Sequence, residues 1–216
     1  MADTDQTGLV LDHLRLLRGP EEMLRVDARI PPGEVLTLMG PSGSGKSTLL
    51  AAITGTLPRA FRSHGRIALN STPLDGLPPE ARRTGILFQD PLLFPHLSVG
   101  GNLAFGLDPA VKGRAARRAR IDAALSEIGL EGHASRDPET LSGGQKARVA
   151  LMRVLLSKPR ALLLDEPFSR LDAALRDQVR RLVFDRAKAE GLPVLLVTHD
   201  AADAEAAGGP VISLEG

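Results

Sequence analysis

The chain has no cysteine, no tryptophan and no tyrosine, and only six phenylalanines among its 216 residues. Without cysteine there are no disulfides, thiolate metal sites or thiol catalysis, which agrees with a reducing compartment. No apolar run approaches the roughly 18 residues of a membrane span, and Met1 to Gly8 lacks the basic and apolar regions of a signal peptide. A chain made and kept in the cytosol is therefore expected. Charge of one sign is also lacking: 27 Lys and Arg face 26 Asp and Glu, a formal net charge of +1. That balance gives no whole-chain argument for nucleic acid or for an anionic membrane surface. Internal repeats and low-complexity tracts are absent from the sequence as well.

What is present is a 43% apolar composition, enough for one substantial core or one core with a small appended lobe. Residues 9 to 38 read as short strands, with Leu9, Leu11, Leu24 and Val26 alternating with polar neighbours and Pro31-Pro32-Gly33 turning into Val35 to Met39. A Gly-rich loop from Gly40 leads into a helix over Lys46 to Thr54, which Gly55 stops. Arg66 to Leu69 and Gly85 to Phe88 are further strands. Residues 98 to 136 are Ala- and Arg-rich, with Ile121, Leu125 and Ile128 at helical spacing, and read as a helical insertion. Apolar strands at Ala161 to Leu164 and Val194 to Val197, separated by a helix over Asp172 to Glu190, predict a parallel sheet buried on both faces. Gly208-Gly209-Pro210 breaks the last helix before a short strand at Val211 to Leu214.

"GPSGSGKS", Gly40 to Ser47, fits the phosphate-loop spacing and stands between a predicted strand and a predicted helix. Its glycines let backbone N–H groups converge on phosphate oxygens at a helix mouth. Lys46 would reach the β and γ phosphates, and the Ser47 hydroxyl would ligate Mg²⁺. "ALLLDEP", Ala161 to Pro167, places Asp165 and Glu166 at the carboxyl end of an apolar strand, the ligand side of an open α/β sheet. Asp165 is expected to hold the Mg²⁺ shell and Glu166 to polarise the attacking water. His199, at the end of the next such strand, could donate to the γ phosphate or orient the water.

"LSGGQ", residues 141 to 145, makes a second anion site: Ser142 caps the following helix, while Gly143 and Gly144 leave its first N–H groups unshielded. One nucleotide on the phosphate loop has no obvious need of a second helix mouth in the same chain. A head-to-tail pair of chains uses both, with ATP buried between the phosphate loop of one and residues 141 to 145 of the other.

Gly40 to Ser47, "FQD" at 88 to 90, "LSGGQ", "LLLDEP" at 162 to 167, "SRLD" at 169 to 172 and His199 together resemble the ATP-binding subunit of an ABC transporter, over nearly the whole chain. The resemblance implies an α/β P-loop NTPase core with a mostly parallel sheet, an antiparallel β edge subdomain and a helical subdomain inserted at about residues 91 to 139, all in one ABC ATPase domain. It implies nucleotide binding by Gly40, Pro41, Ser42, Gly43, Ser44, Gly45, Lys46, Ser47, Thr48 and Gln89, and metal binding by Ser47, Gln89 and Asp165. It implies Glu166, His199 and Lys46 as catalytic, Ser142, Gly143, Gly144 and Gln145 as the signature on a partner's nucleotide, and Asp172 as an intersubunit contact. ATP and Mg²⁺ are the implied cofactors. The implied partners are a second copy of the chain, transmembrane permease subunits met near Phe94, Pro95 and His96, and an extracytoplasmic solute-binding protein, with the chain peripheral on the cytoplasmic face of the membrane. "LLFPHLSVGGN" is importer-like. One departure stands out, since the family usually stacks adenine on an aromatic near the place of Leu17 and Arg18, and no aromatic precedes Phe61.

Two other readings compete. The run Lys112, Arg114, Arg117, Arg118 and Arg120 resembles a nucleic-acid patch, but no stacking aromatics interleave it, so a solvated helix face is expected and no nucleic-acid partner. A soluble ABC-type ATPase of DNA repair or translation usually carries a long coiled-coil insertion or two cassettes, and the stretch between Lys46 and Ser142 has room for neither. Retention of Lys46, Asp165, Glu166 and His199 speaks against a degenerate regulatory module.

Overall fold

The computed structural model describes residues 7–41 and 43–214, with Ala174 given by its backbone alone. Two sheets carry the first part of the chain. In one, β1 (Leu9–Arg18) pairs antiparallel with β2 (Glu21–Ile30) and β4 (Phe61–Leu69), and β5 (Thr72–Pro73) extends the edge in the order β2-β1-β4-β5. The expectation of short strands is corrected here: β1 and β2 each run ten residues. A register shift between Leu11 and Leu14 interrupts the alternation within β1. Leu9 and Leu11 face inward before it, and Leu14 and Leu16 after it, because the extra residue at the bulge reverses which parity is buried. His13 sits in that bulge with φ +47.

The second sheet has the order β6-β7-β8-β3-β9, formed by β3 (Val35–Met39), β6 (Thr84–Leu87), β7 (Ala161–Asp165), β8 (Val194–Thr198) and β9 (Val211–Ser213). The pairs β7/β8, β3/β8 and β3/β9 are parallel. Every residue of β8, and the first four of β7 and of β3, are buried, as unbroken apolar strands covered on both faces should be. Register aligns Met39 with Thr198 and Asp165 with Val197. The carboxyl ends of the three central strands therefore finish along one edge. α1 (Lys46–Thr54) follows β3 and α7 (Ala201–Ala207) follows β8.

The remaining helices are α2 (Pro79–Arg82), α3 (Val99–Gly106), α4 (Arg114–Glu127), α5 (Gly143–Leu156) and α6 (Ala173–Ala189). The described residues fall into two compact units: one drawn from Met1–Ile86, Arg160–Glu166 and Arg180–Gly216, the other from Leu87–Pro159 and Pro167–Val179. In the second unit α3 packs on α5, and α4 turns Ala124 and Leu125 inward. The arginine face of α4 includes Arg118, paired with Asp122 at 3.7 Å, and Arg117, which donates to the Ala104 carbonyl. Among the described residues no helix is long and apolar enough to cross a membrane.

Candidate functional site

In the first unit the loop from Gly40 to Gly45 closes on the mouth of α1. Gly43 and Gly45 stand at φ +86 and +87, the left-handed region that glycine adopts without a steric cost, and this lets the loop fold over the helix N-terminus. Ser44 Oγ donates to the Pro41 carbonyl at 2.9 Å. Lys46, only 6% exposed, donates to the Gly40 carbonyl at 2.8 Å and the Pro41 carbonyl at 2.6 Å. Its ammonium is thus held inside the curl of the loop, where backbone carbonyls offset the cost of burying it. Ser42 lies outside the described residues. Gly43, Gly45, Lys46, Ser47, Thr48, Asp165 and Glu166 line one cleft of about 340 Å³, joined by Arg18 and Met23.

Ser47 Oγ donates to Asp165 Oδ2 at 3.1 Å. Burial pushes the Asp165 carboxyl above its ordinary range, the Ser47 hydrogen bond opposes this, the charge of Glu166 adds to it, and Lys46 opposes it. A hydroxyl and a carboxylate oxygen converging beside a cationic loop form a hard-oxygen donor set that suits Mg²⁺, a cation that also takes phosphate oxygens and water. Glu166 occupies φ +46, a strained position for a residue with a side chain, and its N–H is tied to the Val197 carbonyl at 2.9 Å. Held so, its Oε1 meets His199 Nδ1 at 3.1 Å. Lys46, Ser47, Asp165, Glu166 and His199 all belong to this unit.

The second unit carries the other sequence candidates. Ser142 Oγ accepts from Gln145 N at 3.3 Å, and Gln145 Oε1 accepts from Ser142 N at 2.9 Å, a reciprocal cap at the start of α5. This leaves the N–H groups of Gly143 and Gly144 outside the cap. The two glycines differ. Among the described residues a Cβ on Gly143 meets nothing within 4 Å, whereas one on Gly144 would run into Leu175 Cδ2. Gly144 therefore has a packing reason to be small, which the sequence did not reveal, and Gly143 has none. Gln89 is exposed and lines a groove of about 360 Å³ with Asp90, Gly143, Lys146 and Arg170. Asp172 Oδ1 accepts from Leu175 N at 3.0 Å at the start of α6.

Three residues missed in the sequence organise the stretch from Asp90 to Ser98. Asn102 is fully buried, accepts from Phe94 N at 2.8 Å and donates to the Phe94 and Ser98 carbonyls at 3.1 Å each. Arg153 lies 5.1 Å over the Phe94 ring and donates to the Leu92 carbonyl. Arg170 pairs with Asp90. The signal for Asn102 was a lone polar residue in an apolar helical stretch, which reads equally well as surface. Phe94 packs edge-on to Phe105, at 4.7 Å, and tilted to His96, at 5.9 Å. Phe105 and Leu92 are 70% and 57% exposed, so an apolar patch faces outward.

Strand ends of this kind, with a Gly-rich loop over a helix mouth, place the chain among the α/β P-loop NTPases. The ABC transporter family matches residues 23–169. The chain is 52% identical over 192 residues to the uncharacterized ABC transporter ATP-binding protein YnjD of Escherichia coli, covering 88% of each sequence. It is 47% identical over 196 residues to the thiamine import ATP-binding protein ThiQ of Cereibacter sphaeroides, covering 91% of this chain and 83% of that one. Among solved structures, cbiO1 of Clostridium perfringens, part of the ABC transporter complex cbiONQ, gives a TM-score of 0.83 at 31% identity, over 98% of this chain and 86% of that one. The chain belongs to the ABC transporter family, as its ATP-binding and ATP-hydrolysing subunit.

The asymmetry between the two glycines is measurable. Gly144→Ala is expected to be the less stable of the two alanine variants, because its Cβ displaces the half-buried Leu175 side chain and this offsets the helix-propensity gain. Gly143→Ala is expected to leave stability equal or raise it by as much as ~1 kcal/mol, as a glycine-to-alanine change in a helix does. Urea denaturation midpoints read both, and the reverse order would contradict the assignment.

Proposed function

We propose that the chain energises solute uptake as one of two identical ATP-binding subunits, peripheral on the cytoplasmic face of a membrane and docked on permease subunits. The observation that carries the chemistry is the meeting of Ser47 with Asp165, and of Glu166 with His199, in the unit that holds Lys46. The phosphate loop, from Gly40 to Thr48, cradles the β and γ phosphates with backbone N–H groups, and the Lys46 ammonium leaves its carbonyl partners for the phosphate oxygens. Ser47 and Asp165 are the residues that would hold Mg²⁺. When bound, that ion would neutralise charge on the phosphate oxygens. Glu166 accepts a proton from water as the water oxygen bonds to the γ phosphorus and the bond to the leaving β-phosphate oxygen breaks, giving ADP and phosphate. His199 orients that water or donates to the γ phosphate.

The signature residues Ser142, Gly143, Gly144 and Gln145 act on the nucleotide of the other copy, with Asp172 at the contact between copies. Support comes from Gly143, where a side chain would meet nothing within 4 Å among the described residues of its own chain. Arg18 and Met23, which line the cleft where the family carries an aromatic, supply a guanidinium and a thioether for the base; both are soft, flat-tolerant contacts that relax the choice between adenine and guanine. The segment Pro91 to Ser98, braced by Asn102 and Arg153 and presenting Leu92, Phe94, His96 and Phe105, is the surface for an apolar segment of a permease. The import function named for the ThiQ relative supports uptake, and with uptake goes an extracytoplasmic solute-binding protein as a further partner.

Glu166→Gln is expected to lower ATP turnover by ~10²- to 10⁴-fold while keeping ATP affinity, and so to accumulate a dimer in ATP and Mg²⁺. Light scattering reads the mass, and a monomer under those conditions would overturn the shared-nucleotide scheme. Lys46→Ala is expected to abolish tight nucleotide binding in titration calorimetry. Unchanged affinity there would remove the phosphate loop from the account.

A further inference from the structure

We propose that Arg180, a residue outside every motif named above, is a positioning residue for His199, acting through Asp203 and Thr198. The inference rests on the catalytic reading of His199. Thr198 is the one polar residue of β8, and His199 follows it directly. Arg180, Asp203 and Thr198 are 7%, 2% and 1% exposed, while the His199 side chain is 63% exposed.

The buried groups form a continuous chain of bonds. Arg180 Nε donates to Asp203 Oδ1 at 2.8 Å, and Arg180 Nη2 donates to the same oxygen. Thr198 Oγ1 donates to Asp203 Oδ2 at 2.8 Å. The Thr198 oxygen in turn accepts from Asp200 N at 3.1 Å, and Asp200 Oδ2 lies 3.9 Å from Arg180 Nη2. Asp200 Oδ1 accepts from Ala202 N at 2.8 Å and so caps α7. The network ends on the residues immediately before and after His199, and on no atom of its ring.

Stability alone is a weak reason for this arrangement. A buried ion pair recovers its desolvation cost only when fully hydrogen-bonded, and apolar residues of the same volume usually stabilise as well or better. What a satisfied buried network adds is direction: each bond fixes the next, and the last fixes the backbone flanking the imidazole. An exposed ring that meets Glu166 at 3.1 Å has little packing of its own to set its angle. Its placement is inherited from the buried side of the turn, and a misplacement of about 1 Å at a reacting centre can cost ~10²-fold in rate.

The test is a cycle of ATPase measurements on the full chain. Thr198→Val removes the central hydroxyl at nearly constant volume, Thr198→Ser restores it, and each is made alone and with His199→Ala. Thr198→Val is expected to lower kcat by about tenfold or more with KM changed less than about twofold, Thr198→Ser to recover most of the loss, and Thr198→Val to add almost nothing when His199→Ala is present. Arg180→Lys is expected to lie between Arg180→Met and the unaltered chain. The imidazole resonances of His199 are expected to shift in Thr198→Val. Losses that multiply with His199→Ala, or an unchanged kcat in folded Thr198→Val, would overturn the proposal while leaving the site reading intact. Full activity in His199→Ala itself would instead remove the catalytic reading on which the proposal rests. If Arg180→Met fails to fold, the Thr198 series still decides, because it changes no charge.

Discussion

Ser47 and Asp165 stand 118 positions apart in the chain and 3.1 Å apart in space, and the proposed use of a triphosphate depends on that meeting. It follows from strand order. β7, β8 and β3 lie side by side in parallel, with registers that bring Met39, Thr198 and Asp165 to one edge. A shift of one residue in either pairing would exchange the side chains on two closely packed faces, so packing on both faces fixes the site as firmly as it fixes the core. The hydroxyl comes from the first turn of α1 and the carboxylate from the last residue of β7, both on backbone that hydrophobic packing has already immobilised. Little further ordering is then needed when a ligand binds, which is where rigid elements gain over loops.

Around this point the chain accepts local costs. Glu166 is held at φ +46, of the kind worth about 1 to 3 kcal/mol for a residue with a side chain, and the Val197 carbonyl on the adjoining strand keeps it there. The Lys46 ammonium is buried against loop carbonyls, and Asp165 is pushed upward in pKa by its burial. The last two features share a sense: each disfavours the site without a ligand and would be relieved by one. Phosphate oxygens would accept from Lys46, and a divalent cation would reverse the penalty on Asp165. The charged network behind β8 differs, being complete within the protein, and this fits a part that orients rather than binds.

Much of this arrangement could be read from residues alone. The strands Val35 to Met39, Ala161 to Leu164 and Val194 to Val197, the last two one residue longer in the structure, and the helix beginning at Lys46, were legible because unbroken apolar runs and glycine stops leave few alternatives. β1 and β2 were underestimated, since a bulge at His13 breaks the alternation on which strand reading depends. Asn102, Arg153 and Arg180 escaped notice for another reason. A buried polar side chain is recognisable only by its partners, and Asp200 and Asp203 lie 20 and 23 positions beyond Arg180, outside any local pattern. Gly144 shows the converse: its pairing with Gly143 suggested one shared purpose, and Leu175 gives it a separate one.

The central claim is that each nucleotide is clasped by the phosphate loop of one chain and the signature of another. Mixing two inactive chains tests it most directly, one carrying Lys46→Ala and the other Gly143→Glu. In a mixed dimer one site would combine an intact loop with an intact signature, so ATPase activity should reappear at up to about a quarter of the unaltered rate for random pairing. A mixture no more active than either inactive chain, when mixed dimers are shown to form, would contradict the claim.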